Sequence, residues 1–175
     1  MSHKRSRGDW WILWLAQGFN TGRAKVAPGT FGTFPGLVFA ALFLLPGSLW
    51  IYLTLCVLSV PLSVYLSTRA EQILNQRDPG SIVIDEIIAV PMCFIWWVLD
   101  FLNSTGKMPS VSDLFIDGFL VVALIFGAFR FFDILKPWPV GPSQKLPRGW
   151  GVTIDDVLAA GYVNLVAYLI FRFLS

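Results

Sequence analysis

The chain has 175 residues, of which 55% are hydrophobic and only 14% are charged, whereas an ordinary soluble domain is about 25% charged. A net charge of +2 is too small to indicate a nucleic-acid partner, and a single histidine, His3, excludes Ser-His-Asp triads and histidine metal clusters. From Val26 to Thr68 there are 43 residues without a charged side chain, which indicates an integral membrane protein.

The predicted elements are helices and turns, because no strand alternation is visible. Residues 1–26 are basic and aromatic and are expected to form an N-terminal interfacial segment. Residues 27–175 are predicted to form one helical membrane domain, which opens with irregular Gly- and Pro-rich backbone at 27–36. Apolar runs predict membrane helices at residues 37–45, 49–67, 84–102, 113–132 and 155–173. The fold class is therefore an all-α, multi-pass helix bundle with about four to five spans, and Pro91 should kink its third run.

Basic residues alternate between the two sides of this bundle. The N-terminal region and two of the connections are basic: Lys4, Arg5, Arg7, Arg23, Lys25, Arg69, Arg77, Lys136, Lys145 and Arg148. The loop at 103–112 has only Lys107. Since cytoplasmic connections carry an excess of Lys and Arg, the basic side is predicted to face the cytoplasm.

Two pairs of adjacent acids head two of the apolar runs. Asp85 and Glu86 begin the third run, and Asp155 and Asp156 begin the last. Helix capping accounts for one acid per helix but less well for two neighbours. A carboxylate beside hydrocarbon is costly unless it is paired, hydrated or bound to a cation. With Asp133 on the same side, all five acids are predicted to hold Mg²⁺, which prefers hard oxygen ligands.

Two cations flank Asp133 at the end of the fourth run. Arg130 and Lys136 are either snorkelling surface cations or phosphate-binding groups beside the metal. Arg130 can share a helix face with Asp133. Pro137 is expected to move Lys136 out of helical geometry, so that its ammonium reaches elsewhere.

The glycine-rich stretch at 27–36 lacks the Gly-Lys-Ser/Thr core of a P-loop. Its glycines could still let backbone N–H groups approach a phosphate, with Thr30 and Thr33 adding hydroxyls. A plain membrane-entry turn explains the same residues equally well.

Four stretches together resemble the phosphatidylglycerophosphatase A family of bacterial membrane enzymes. They are APGTFGT at 27–33, SIVIDE at 81–86, FRFFDILKPWP at 129–139 and GWGVTIDD at 149–156. Ala89 and Thr153 stand where the family usually has Gly and Met, and neither removes a candidate ligand. The resemblance implies Mg²⁺-dependent hydrolysis of phosphatidylglycerophosphate, a phospholipid in the bilayer, to phosphatidylglycerol and phosphate. It also implies a bacterial cytoplasmic (inner) membrane location, with the active site facing the cytoplasm.

The preferred mechanism is in-line attack of a metal-activated water on the phosphate, because the Asp-x-Asp-x-Thr phosphatase signature is absent. An Asp nucleophile with an aspartyl-phosphate intermediate remains open. Asp85, Glu86, Asp133 and Asp156 are the expected catalytic residues, and one of the acids would protonate the leaving glycerol oxygen. Two other functions remain open, a membrane cation carrier and a non-catalytic membrane scaffold. A carrier predicts acids in the middle of the spans, and a scaffold predicts that the acids tolerate substitution.

Overall fold

The computed structural model describes residues 6–174, and every regular element among them is helical. The helices are α1 (Arg7–Ala16), α2 (Pro28–Leu44), α3 (Leu49–Leu74), α4 (Ile84–Cys93), α5 (Ile95–Thr105), α6 (Phe119–Leu135), α7 (Val140–Ser143) and α8 (Gly149–Leu174). A 3₁₀ turn at Thr21–Arg23 follows α1, and a π-type turn at Asp113–Asp117 precedes α6. The all-α prediction is confirmed. His3, Lys4 and Arg5 lie outside the described residues.

Among residues 6–174, three helices are long and apolar enough to cross a membrane, namely Leu49–Leu74, the kinked pair Ile84–Thr105, and Gly149–Phe173. A shorter apolar helix is Pro28–Leu44. Large apolar side chains stay exposed on the outer surfaces of the bundle, among them Leu58, Leu62, Leu120, Leu124 and Leu165. Outer faces of this composition suit hydrocarbon rather than water.

The long helices alternate in direction, so one end of the bundle collects several helix termini. The first turns of α2, α4 and α8 and the last turns of α3 and α6 meet there. An ion pair joins Arg130 of α6 to Glu86 of α4, and the Gly149 N–H donates to the Thr68 hydroxyl of α3 over 3.1 Å. This end carries the polar residues that the sequence singles out.

The prediction of irregular backbone at 27–36 is wrong, because α2 begins at Pro28 and runs through this stretch. Pro28 occupies the first helical position, where its fixed φ favours the helix and its missing N–H costs nothing. Gly32 and Gly36 let α2 pack closely on α4: a Cβ at either residue would lie 2.7 Å from the Cβ of Val83 or Val90. The glycines therefore serve helix packing rather than a loop.

The kink predicted at Pro91 takes the form of a break between α4 and α5. The helix stops at Cys93 and restarts at Ile95, within one turn after Pro91, where the Trp96 N–H and the Met92 carbonyl do not bond to each other. Asn164 of α8 binds the two backbone groups that the break leaves without an α-helical partner. Its side-chain oxygen accepts from the Trp96 N–H at 2.7 Å, and its amide donates to the Met92 carbonyl at 2.8 Å.

The described part of the N-terminal segment packs on the helical domain. A capping box between Ser6 and Asp9 starts α1, and Leu13 and Ala16 are buried in the same core as α3 and α4. The Val83 N–H donates to the Ala16 carbonyl over 3.0 Å. The start of α4 is thus positioned partly by α1.

Candidate active site

The five predicted acids come together at one end of the bundle. Asp85 and Glu86 lie in the first turn of α4 and Asp133 in the last turn of α6. Asp155 and Asp156 lie in the second turn of α8, since that helix begins at Gly149. All five line one cavity of about 270 Å³, together with Arg130 and Lys136.

The placement of α8 corrects one expectation. Asp155 and Asp156 do not head the last helix, because α8 starts six residues earlier than the apolar run does. Gly149 permits this early start by packing against the backbone of α3 at Val64 and Thr68, where a Cβ would collide. Helix capping therefore does not account for the second acid pair, and its placement needs another cause.

Arg130 bridges two of the acids. Its Nη1 lies 2.9 Å from Glu86 Oε1 and 2.9 Å from Asp133 Oδ2. The contact with Asp133 is the one that the spacing of three residues on a helix predicts. Arg130 Nε is buried and has no hydrogen-bond partner among residues 6–174. A buried guanidinium N–H without a partner is a ready donor for an anion in the cavity.

Lys136 links α6 to α8. It ends α6 in the left-handed region with φ +46°, directly before Pro137, as expected from the sequence. Its ammonium lies 2.6 Å from Asp155 Oδ2 and 3.5 Å from Asp133 Oδ1. Partial burial works to lower the pKa of Lys136, but the hydrogen bond and charge of Asp155 outweigh it, so the net shift is upward. Lys136 therefore stays protonated at neutral pH.

The cavity has more negative than positive charge. In the described part of the chain, six acidic side chains line it against two basic ones, the sixth acid being Asp78. Three carboxylate oxygens, Asp85 Oδ1, Glu86 Oε2 and Asp155 Oδ1, are buried without a hydrogen-bond partner in the described part of the chain. Buried polar atoms rarely stay unsatisfied, and buried carboxylates that outnumber their partners are costly.

A cation is the group that fits these oxygens. One carboxylate oxygen from each of Asp133, Asp155 and Asp156 lies within 4.8 Å of the other two. Asp85, in the facing turn of α4, adds an unpartnered oxygen to the same cavity. An all-oxygen donor set without His or Cys suits a hard divalent ion such as Mg²⁺.

The two threonines predicted to bind phosphate do not line the cavity. Thr33 is fully buried, and its hydroxyl donates to the Gly29 carbonyl over 2.9 Å within α2. Gly29 itself lines the cavity, and a Cβ at this position would collide with Glu86 Oε1 and lie 3.0 Å from Arg130 Nη1. The glycine makes room for the Glu86–Arg130 ion pair, a role that the sequence did not indicate.

Two further residues of the site were missed. Gln144, after α7, donates from Nε2 to Asp155 Oδ2 over 3.0 Å and orients that carboxylate. Asp78 reaches the mouth of the cavity from a turn, where its N–H donates to Glu71 Oε1 over 2.8 Å. In the sequence, Asp-Pro-Gly at 78–80 reads only as a turn, and nothing marks Gln144 apart from its neighbours.

The fold and the cavity together define an all-helical membrane enzyme with a charged site at the ends of its helices. A family model described as phosphatidylglycerophosphatase A matches residues 14–171. The chain belongs to the phosphatidylglycerophosphatase A family, and it is a phosphatase.

Three relatives illustrate the similarity. Phosphatidylglycerophosphatase A of Haemophilus influenzae is 38% identical over 157 residues, which cover 89% of this chain and 86% of that protein. Phosphatidylglycerophosphatase A of Escherichia coli is 30% identical over 162 residues, covering 91% and 83%. A Bacteroides thetaiotaomicron protein provisionally named phosphatidylinositol-3-phosphatase is 32% identical over 152 residues, covering 85% and 86%. No solved structure gives a significant match.

Proposed function

We propose that the protein hydrolyses the terminal phosphate of phosphatidylglycerophosphate with the help of Mg²⁺, giving phosphatidylglycerol and phosphate. The observation that carries this proposal is the cavity in which six acids and two cations meet at the helix ends. Two of its relatives are named for this activity. The lipid tails can stay in the bilayer while the phosphorylated headgroup reaches a site at this level.

Asp133, Asp155 and Asp156 would hold the metal ion, with Asp85 facing them from α4. When bound, Mg²⁺ supplies positive charge to the phosphate oxygens and lowers the pKa of a coordinated water. The ion would also satisfy the buried oxygens of Asp85 and Asp155 that lack a partner among residues 6–174. Gln144 and Lys136 both donate to Asp155 Oδ2 and so orient its second oxygen, Oδ1.

Arg130 and Lys136 would bind the phosphoryl group. Arg130 is held rigidly between Glu86 and Asp133, which leaves its buried Nε free to donate to a phosphate oxygen. Lys136 adds a positive charge from the side of α8. Both would stabilise the charge that spreads over the equatorial oxygens in the transition state.

We infer direct attack by water, in which a P–O bond to water forms as the P–O bond to glycerol breaks. The departing glycerol oxygen needs a proton, and Glu86 is placed to hold one. Its Oε1 is fixed by Arg130, whereas its Oε2 is buried and lacks a protein partner in the described residues. The attacking water gives one of its two protons to a neighbouring carboxylate. The site therefore gains one proton for the one that Glu86 gives to glycerol.

The position of the acids argues against a cation carrier. Asp85 and Glu86 lie in a first helical turn, Asp133 in a last turn, and Asp155 and Asp156 in a second turn. A carrier that moves ions across the bilayer needs polar groups near its middle. Within the described residues, the acids of this site all lie at one end.

We predict that phosphate release from phosphatidylglycerophosphate stops in excess chelator and returns when Mg²⁺ is added back. The purified protein is assayed in mixed micelles, and inorganic phosphate is measured directly. Phosphorylated phosphatidylinositol serves as a comparison substrate, given the name of one relative. Full activity in chelator would contradict the metal requirement, and no release under any condition would contradict the proposed activity.

The proposed orientation, with the site in the cytoplasm, predicts the labelling of single cysteines. Both native cysteines, Cys56 and Cys93, are buried and give little background. Ser110→Cys lies in the loop far from the site and should react with an impermeant maleimide added to intact cells. Lys145→Cys lies near the site and should react only after the cells are opened. The reverse pattern would place the site on the outer side of the membrane.

A further inference from the structure

An apolar groove lies between α5, α6 and α8, away from the charged cavity. Buried side chains of all three helices form its floor, and part-exposed ones form its walls. The floor is Trp97, Ile125 and Val163, and the walls include Leu124, Ala128 and Ala167. Its volume is about 150 Å³. Because its lining is apolar, the ligand that suits it is an apolar one.

Two alanines keep the groove open. Ala128 of α6 and Ala167 of α8 are the smallest of the lining residues, and both are half-buried. A larger side chain at either position would occupy the groove. The outer side remains open between Leu124 and Ile170, which are 64% and 50% exposed. A flexible chain in the surrounding hydrocarbon can therefore enter from the side.

The groove and the charged cavity are both lined by α6 and α8, at different heights along these helices. On α6, Ala128 and Phe132 are four residues apart and lie on one stripe of the helix, and the helix ends at Leu135, directly before Lys136. On α8, Val163 and Asp156 are seven residues apart and share a face. Ala128 lies about 12 Å from Lys136 along the helix axis, at about 1.5 Å per residue. Both sites therefore lie along one seam, the interface between α6 and α8.

An aromatic pair lies on this seam between the groove and the cavity. Phe132 of α6 stacks on Tyr162 of α8, with ring centroids 5.1 Å apart and an angle of 24°. The Tyr162 hydroxyl donates to the Trp138 carbonyl over 2.6 Å. The amphipathic ring of a tyrosine favours the level at which hydrocarbon meets polar groups.

We propose that this groove holds a segment of one acyl chain of the lipid substrate and thereby sets the position of the terminal phosphate in the cavity. The proposal rests on the proposed lipid phosphatase function. The phosphoglycerol unit and glycerol backbone between that phosphate and the chains are about a dozen bonds of roughly 1.5 Å, enough to cross about 12 Å. The glycerol backbone then lies beside Phe132 and Tyr162.

The groove acts through position rather than affinity. An acyl chain that moves from the bilayer into the groove exchanges one apolar environment for another, so little hydrophobic free energy is gained. Alignment is different, because a displacement of about 1 Å in a reacting group can cost about 10²-fold in rate. The expected signature is therefore selectivity for long chains in turnover, without a change in membrane association.

The test places a large side chain in the groove, from α6 in one variant and from α8 in another. Ala128→Phe and Ala167→Phe are compared with wild type on phosphatidylglycerophosphate with long chains and on a short-chain analogue, both in mixed micelles. The ratio of kcat/KM for the long-chain to the short-chain substrate should fall at least about tenfold in both variants. Ala123→Phe is the matched control, because Ala123 is exposed on the same helix outside the groove, and it should keep the wild-type ratio.

An unchanged ratio in both groove variants would overturn the proposal, and would leave the groove to bulk lipid or to a second copy of the chain. Equal losses on both substrates would overturn it too, because they indicate damage to the charged site. A long-chain lipid phosphate with a photoreactive group in mid-chain adds a readout independent of turnover. It should label α6 or α8 at the groove in wild type and lose that labelling in Ala128→Phe. If wild type hydrolyses neither substrate, the proposed function fails. The labelling alone then tests whether the groove binds a lipid chain.

Discussion

Asp156→Asn is expected to reduce phosphate release roughly 10³-fold, since a metal ligand contributes several kcal/mol of transition-state stabilisation. The same change should raise the thermal stability of the metal-free protein. Asp156 is 2% exposed and shares its cavity with five other acids, so removal of one charge relieves repulsion in a poorly solvated site. Activity lost with stability gained is characteristic of residues kept for function. Initial rates and thermal unfolding in detergent, both with and without Mg²⁺, measure the two effects.

Asp100→Asn is the matched control for this variant. Asp100 lies in α5, in the same membrane-crossing pair as Asp85 but near its opposite end. It does not line the charged cavity, so its replacement should leave phosphate release near the wild-type rate. If Asp156→Asn instead lost stability and activity together, the residue would be needed for folding. Retained activity would mean that Asp156 holds no metal.

Mg²⁺ itself should distinguish these variants. A ligand that binds the native state and not the unfolded state stabilises the protein, by an amount that grows with the ratio of ligand concentration to Kd. Added Mg²⁺ should therefore raise the melting temperature of wild type and of Asp100→Asn, and should have a much smaller effect on Asp156→Asn.

The acids could be found from the sequence because their signal is local. A carboxylate beside a long apolar run is costly wherever the chain folds, so Asp85, Glu86, Asp155 and Asp156 stand out without any structure. Arg130, Asp133 and Lys136 are linked by intervals of three along one helix, which is also a local relation. The counting of basic residues then assigned these groups to the same side, and the structure brings them to one cavity.

The remaining features depend on contacts between distant parts of the chain. Thr30 and Thr33 suggested a phosphate site, but α2 continues through them and directs the Thr33 hydroxyl to its own backbone. The early start of α8 depends on Gly149 against α3, 81 residues away. Gln144 and Asp78 are ordinary polar residues in loops until packing places them at the cavity. Composition and periodicity contain no information on such pairings.

The role of Gly29 is the sharpest of these long-range relations, and Gly29→Ala should test it with a loss of about 10²-fold in kcat/KM. A Cβ at this position would collide with Glu86 Oε1 and crowd Arg130 Nη1. The Glu86 side chain can swing aside at little cost to the fold, but the Glu86–Arg130 ion pair cannot then keep its geometry. Alanine is also favoured over glycine in a helix by about 1 kcal/mol, so the variant should fold well. Phosphate release and thermal unfolding, measured together, separate these two effects.

Gly127→Ala is the matched control, because a Cβ there would meet nothing within 4 Å and the helix α6 gains the same intrinsic preference. It should equal wild type in activity. Shortening the displaced side chain offers a second check. In the double variant Gly29→Ala/Glu86→Asp, the shorter carboxylate no longer reaches the added methyl group, so the combined loss should be smaller than the product of the two single losses. Strict multiplication of the losses would mean that Gly29 and Glu86 act independently, and the glycine would then serve the packing of α2 on α4 alone.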